Sequence, residues 1–190
     1  MTTGKFMRLL VCLICVSAAN AQDFVKLPET RNAALRYWLA FANMEDRATD
    51  EGTLKLIDKA LAGDAVWDNQ RFGAILMGKN EYAVKLMQQA STLPECNWGI
   101  DYNRGSAADL AHLPKARAMA RLNALYGARL WAKGDYEGAV DSWLAGLRFA
   151  NHMASGISLI GVLSAKPMIL SDLRFLSKAV QSGKLSAEPR

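Results

Sequence analysis

The chain is poor in the residues that carry metal and redox chemistry. Its 190 residues include 3 cysteines and 2 histidines. Cys12 and Cys15 lie within the first 21 residues, which read as an export signal. Once that segment leaves, Cys96 is the one remaining thiol and no intramolecular disulfide can form. His112 and His152 are far apart in sequence, and the mature chain holds neither C-x-x-C nor H-E-x-x-H. No metal site and no cofactor are expected from such a set. Prolines number 5 and fall at element boundaries or at one kink. No pair of alternating runs reads as a strand pair, so no Gly-rich loop follows a strand and a phosphate cradle is excluded.

What is there begins with an export signal. Lys5 and Arg8 precede an apolar stretch over residues 9–19, and Ala19-Asn20-Ala21 is an A-x-A cleavage site that predicts a mature start at Gln22. The apolar stretch is about half the ~20 residues a membrane span needs. Release to the periplasm or the exterior is therefore expected, with retention at the membrane by an uncleaved signal as the alternative. The other long apolar run, residues 157–176, carries Lys166, Pro167, Asp172 and Arg174 and reads as a soluble, kinked helix. No stable membrane span is expected after cleavage. Loss of Lys5 and Arg8 lowers Lys+Arg from 23 to 21 against 18 acids, and the net charge from +5 to +3. Nucleic-acid binding is not read from so small an excess. Residues 22–183 suit a single helical domain, with 184–190 as a polar tail.

Apolar periodicity predicts an all-α fold of about seven helices. The first spans 28–44, with Ala34, Leu35, Trp38, Leu39, Phe41 and Ala42 as its apolar face. Further helices are expected over 53–61, 64–77 and 81–90, the last capped by Asn80. Glu81 and Lys85 form an i,i+4 pair in the favoured order. Residues 91–113 form a long irregular segment, a class that tends to be functional or mobile. Within it Trp98, Ile100 and Tyr102 alternate with small or polar residues, as in a strap laid across a groove between helices. A fifth helix, 114–133, carries a stripe of small residues, Ala116, Ala120, Ala124 and Gly127, that permits close helix approach. Gly134 ends it and Asp135 caps the next. On that sixth helix Tyr136, Ala139, Val140, Trp143, Leu144, Leu147 and Ala150 recur at steps of three and four. A seventh helix, 158–180, contains Pro167.

The stretch 127–147, GARLWAKGDYEGAVDSWLAGL, resembles the central part of a tetratricopeptide repeat. Gly134, Tyr136, Ala139, Trp143 and Gly146 match its turn glycine, aromatic and small positions, and Gly127 matches the small residue of its first helix. Asn151 stands where the repeat has its closing proline. The likeness covers about 30 residues without a second copy, and a solenoid needs about three. The resemblance therefore implies an antiparallel helical hairpin at the centre, packed as in these repeats, and not a superhelix. Asn32-Ala33-Ala34-Leu35-Arg36-Tyr37-Trp38, Cys96-Asn97-Trp98-Gly99-Ile100-Asp101 and the Gly134-Asp135-Tyr136 turn also resemble segments of a loose group of exported bacterial helical proteins without assigned activity.

The expected function is a non-enzymatic scaffold or assembly factor whose partner is a protein or peptide, with Trp98, Ile100 and Tyr102 as candidate binding residues. One alternative is a hydrolase or lyase using the 91–113 loop, with Cys96, Asp101 and His112 as candidate catalytic groups. Another is an N-terminal fragment of a longer exported protein. Glu137 and Asp141 lie on the outer face of the sixth helix, where its dipole accounts for them. Tyr37, Trp38 and Phe41 at helical spacing read as core.

Overall fold

The turn at Gly134 sets the architecture. Lys133 ends one helix, and Gly134 follows at φ +86°, a left-handed conformation that residues with a Cβ rarely adopt. The Asp135 amide then donates to the Leu130 carbonyl at 3.0 Å and the Gly134 amide to the Trp131 carbonyl at 3.1 Å. This pair of bonds is the Schellman closure of a helix. Asp135 at once starts the next helix, its Oδ1 accepting from the Gly138 amide at 2.9 Å. Three residues thus reverse the chain. No atom lies within 4 Å of where a Cβ on Gly134 would stand, so Gly134→Ala meets only the backbone penalty. It should lower stability by ~1 kcal/mol, and a thermal melt equal to wild type would show the turn to be indifferent to glycine.

The structure is a computed structural model that describes residues 31–45, 50–62, 69–76, 78–155 and 158–185. The expected export signal, the expected first-helix start at Pro28, residues 64–68 and the end of the tail lie outside these. The described residues are all-α. They form α1 (Ala33–Ala42), α2 (Glu51–Ala62), α3 (Asn69–Leu76), α4 (Lys79–Ser91), α5 (His112–Ala132), α6 (Tyr136–Ala154) and α7 (Leu159–Gln181), with a 3₁₀ turn over Tyr102–Ala107. No strand is present among them beyond one isolated parallel bridge between Asn32 and Glu95.

The α5–α6 hairpin is the centre. α6 packs on α5, α7 and α4, while α1 lies on α4, and α2 and α3 lie on α5. The main core draws Tyr37 and Phe41 from α1, Met87 from α4, Leu122 and Leu125 from α5, and Phe149 from α6. A second cluster gathers Ala139, Trp143 and Ala179, with Leu185 and Phe175 against it. Lys184 stands 5.1 Å over the Tyr136 ring, so the segment expected as polar tail begins with packed residues. Between α4, α5 and α6 a largely buried polar set is hydrogen-bonded across the three helices. Gln88 Nε2 donates to Asn123 Oδ1 (2.9 Å) and Ser142 Oγ (3.0 Å), and Asn123 Nδ2 to the Ser142 carbonyl (2.8 Å). Pairing of this kind removes the penalty of burying amides and hydroxyls.

Three expectations change. The buried side of α1 is Ala33, Ala34, Tyr37, Ala40 and Phe41, while Leu35, Trp38 and Leu39 are exposed. The apolar residues of α1 go more than halfway round, and the aromatic cluster beneath it selects the Tyr37–Phe41 side. Asn80 does not cap α4: Gly78 holds that position. Asn80 is buried in the first turn, where its amide donates to the Ile75 carbonyl and accepts from the Glu45 amide. α5 begins at His112 rather than at Pro114, so His112 is a helix residue and the irregular segment is shorter. α7 is assigned as one helix through Pro167, which has no amide to offer the Leu163 carbonyl.

Candidate functional site: the strap and the α7 cleft

Two of the segments singled out in sequence meet in space. The Asn32 side chain caps α1 by accepting from the Ala34 amide at 3.1 Å. The same Oδ1 accepts from the Asn97 amide at 2.8 Å, and its Nδ2 donates to the Asn97 carbonyl at 2.9 Å. The Ala33 amide adds a 2.7 Å bond to the Glu95 carbonyl. One asparagine thus offers the strap the donor and acceptor that a neighbouring strand would. Beyond this clasp, Trp98 turns inward. Its ring stacks on His112 at 4.4 Å, on Tyr37 at 5.7 Å and parallel to Phe41 at 6.1 Å. Tyr37 Oη and His152 Nδ1 share a 2.7 Å hydrogen bond on the far side.

The three catalytic candidates are not assembled into a nucleophilic pair. Cys96 is half-buried, and burial pushes its thiol up to about 12, against the weaker opposing effect of the Ala34 amide. It stays protonated near neutral pH, whereas nucleophilic cysteines need a lowered value. Among the described residues no hydrogen bond links it to His112, whose imidazole is buried under Trp98 and held below its ordinary value by that burial. Asp101 accepts from the Asn103 amide and caps the 3₁₀ turn. Asp101, Ile100 and His112 do share a hollow of about 290 Å³ with Trp38, Arg104 and Asp109, which Cys96 does not line. Tyr102 is half-buried and lies outside it. We expect Cys96 in the native protein to react slowly with a thiol reagent at neutral pH and rapidly after denaturant is added. Fast native labelling that His112→Ala abolishes would restore the catalytic pair.

A larger cleft, of about 530 Å³, lies elsewhere, between α2, α5 and α7. Leu61, Ala120, Pro167 and Met168 give it apolar walls. Arg117, Arg121 and Arg174 bring three guanidiniums to it. Arg121 is paired with Asp58 through bonds of 2.6 and 3.1 Å, and Arg117 donates to Ser164 Oγ at 2.8 Å. At its back lies Asp172, 2% exposed and without a hydrogen bond or ion pair among the described residues. Burial raises its carboxyl from the ordinary 3.8 to about 8, so the acid is mostly neutral at pH 7. Asp172 stands against Gly146 of α6, where any Cβ would collide with its carboxylate oxygen. The small residue at Gly146 thereby has a physical reason: it makes room for an acid.

From the sequence alone Asp172 marks only a soluble helix and does not by itself point to the cleft. The signal that could have found it is angular. Asp172 shares one side of α7 with Gly161, Ala165, Met168 and Ala179, the buried residues. Around the strap and the cleft, among the described residues, no three of His, Cys, Asp or Glu gather as a metal site. Comparison with protein-family models, with curated proteins and with solved structures finds no match.

Proposed function

We propose that the chain is an exported, non-enzymatic helical scaffold that binds a protein or peptide segment along α7. The observation that carries this reading is the outer side of that helix. Leu159, Leu163, Leu170 and Leu173 recur there at helical spacing and are each about half exposed or more, while Val162 and Val180 extend the strip. Scattered exposed leucines need no explanation, but several aligned along one helix face mark an interaction surface. Lys166 and Arg174 interrupt the strip and suit a partner with acidic residues beside its apolar ones. The protonated, half-buried Cys96 and the stacked His112 also favour binding over covalent chemistry. Export rests on the A-x-A signal.

The test is crosslinking of the mature protein in its native envelope fraction, followed by direct binding of the purified partner. Leu163→Glu with Leu170→Glu should weaken that binding about thirtyfold or more, as loss of a central apolar contact of ~2 kcal/mol requires. Equal binding by a variant with an unchanged melt would rule out α7 as the partner surface.

A further inference from the structure

The α2–α5–α7 cleft borders the α7 strip, sharing Leu163, Leu170 and Arg174 with it, and adds Arg117 and Asp172, which the strip does not use. Its volume lies within the ~300–1,000 Å³ of small-molecule sites, and its walls are mostly apolar with a few convergent polar groups. Its charge is unbalanced. Asp58 is taken by Arg121. Arg117 and Arg174 have no acidic partner among the described residues. Asp172 does not compensate them, because burial holds it mostly neutral. Ser164, beside Arg117, and Arg174 are separated by ten residues of α7, or ~15 Å along the axis. Pro167 and Met168 lie between them, so an apolar path leads from a cation at either end.

We propose that this cleft is a binding site for an amphiphilic anion, a straight apolar chain ending in a carboxylate. The chain lies along Leu61, Ala120, Pro167 and Met168. The carboxylate takes the free guanidinium donors of Arg117 or Arg174, whose planar forks match its two oxygens. A cationic amphiphile would meet the same walls but an excess of positive charge, and could be held only by ionising Asp172. The site shares Leu163, Leu170 and Arg174 with the α7 strip, but anion binding is measured without a protein partner and turns on Arg117 as well, so failure of the anion site and failure of the α7 reading are read by different experiments.

The probes are dodecanoate and dodecyltrimethylammonium, which share a chain length and differ in the sign of the head. Each is titrated calorimetrically into the mature protein at pH 7, below its micelle-forming concentration. Dodecanoate should bind at least about tenfold tighter than the ammonium, since one charge-assisted hydrogen bond carries that much. Arg117→Gln with Arg174→Gln should lower dodecanoate affinity by about tenfold or more and leave the ammonium no weaker. Arg174→Gln alone serves as the second variant if loss of the Arg117–Ser164 bond disturbs folding, which the melt reports. Equal affinities, absence of dodecanoate binding, or indifference of dodecanoate to both variants would overturn the proposal.

Discussion

Replacing Asp172 by asparagine should stabilise the protein at neutral pH and flatten its stability profile. In the unfolded chain this carboxyl ionises near 3.8, whereas in the folded chain it does so near 8. Between these values the folded protein holds a proton that the unfolded chain has lost. Unfolding then releases a proton, and rising pH favours it. The stability available below about pH 4 is lost progressively as pH climbs towards 8, by up to ~1.4 kcal/mol per pH unit. Its neighbours give it no hydrogen bond among the described residues: Gly146 has no side chain, and the Asn123 amide donates to the Ser142 carbonyl instead. Asparagine keeps the shape and removes the titration. Urea unfolding at pH 5, 6, 7 and 8 should show wild type falling steadily behind Asp172→Asn. A constant gap between the two would mean that Asp172 is ionised in the folded protein.

The second large effect lies at the hairpin. Trp143 is 2% exposed and stacks on Phe175 at 5.1 Å, and its indole N–H donates to the Ala124 carbonyl at 3.4 Å. Trp143→Ala should lower stability by ~3–5 kcal/mol, the range for large aromatics cut from a core. Gly127 on α5 exists because of this ring, since a Cβ there would collide with the indole. Gly127→Ala should therefore destabilise by ~1–3 kcal/mol through overpacking. In a Trp143→Ala background the obstacle is gone, and alanine is the better helix former by ~0.5–1 kcal/mol. The same substitution should then stabilise. A double-mutant cycle in urea reads this change of sign directly, and Gly127→Ala values equal in both backgrounds would contradict the packing.

That hairpin was legible in the sequence because its determinants are local. Gly134 and Asp135 specify the reversal by their own backbone and side-chain chemistry, and Trp143 lies on a stripe countable from Tyr136. α1 was legible as a helix but not in its rotation. Leu35 and Leu39 are as apolar as the buried residues, and only the rings of Trp98 and Phe149 decide which side turns in. The clasp was invisible because Asn32 and Asn97 are 65 residues apart and nothing in either neighbourhood announces the other. Asp172 was visible as an acid in an apolar run, yet its protonation depends on what α6 leaves open at Gly146. Asn80 has the residue type of a cap, which is all its own neighbourhood shows. Its bonds to Glu45 and Ile75 belong to the tertiary structure.

The distance spanned by the clasp has a kinetic meaning. Contacts across the hairpin, such as Asn123 with Ser142, join residues 19 apart, whereas Asn32 and Asn97 enclose 65. Closing the longer loop demands ~1 kcal/mol more chain entropy before any contact repays it. α5 and α6 should therefore pair early in folding, with the strap tied down late. In hydrogen exchange the Asn97 and Ala33 amides should open without disturbing those of α6. The last piece to lock would then be the strap, with Trp98 reaching Tyr37 and His112 as Asn32 fastens the chain beside it.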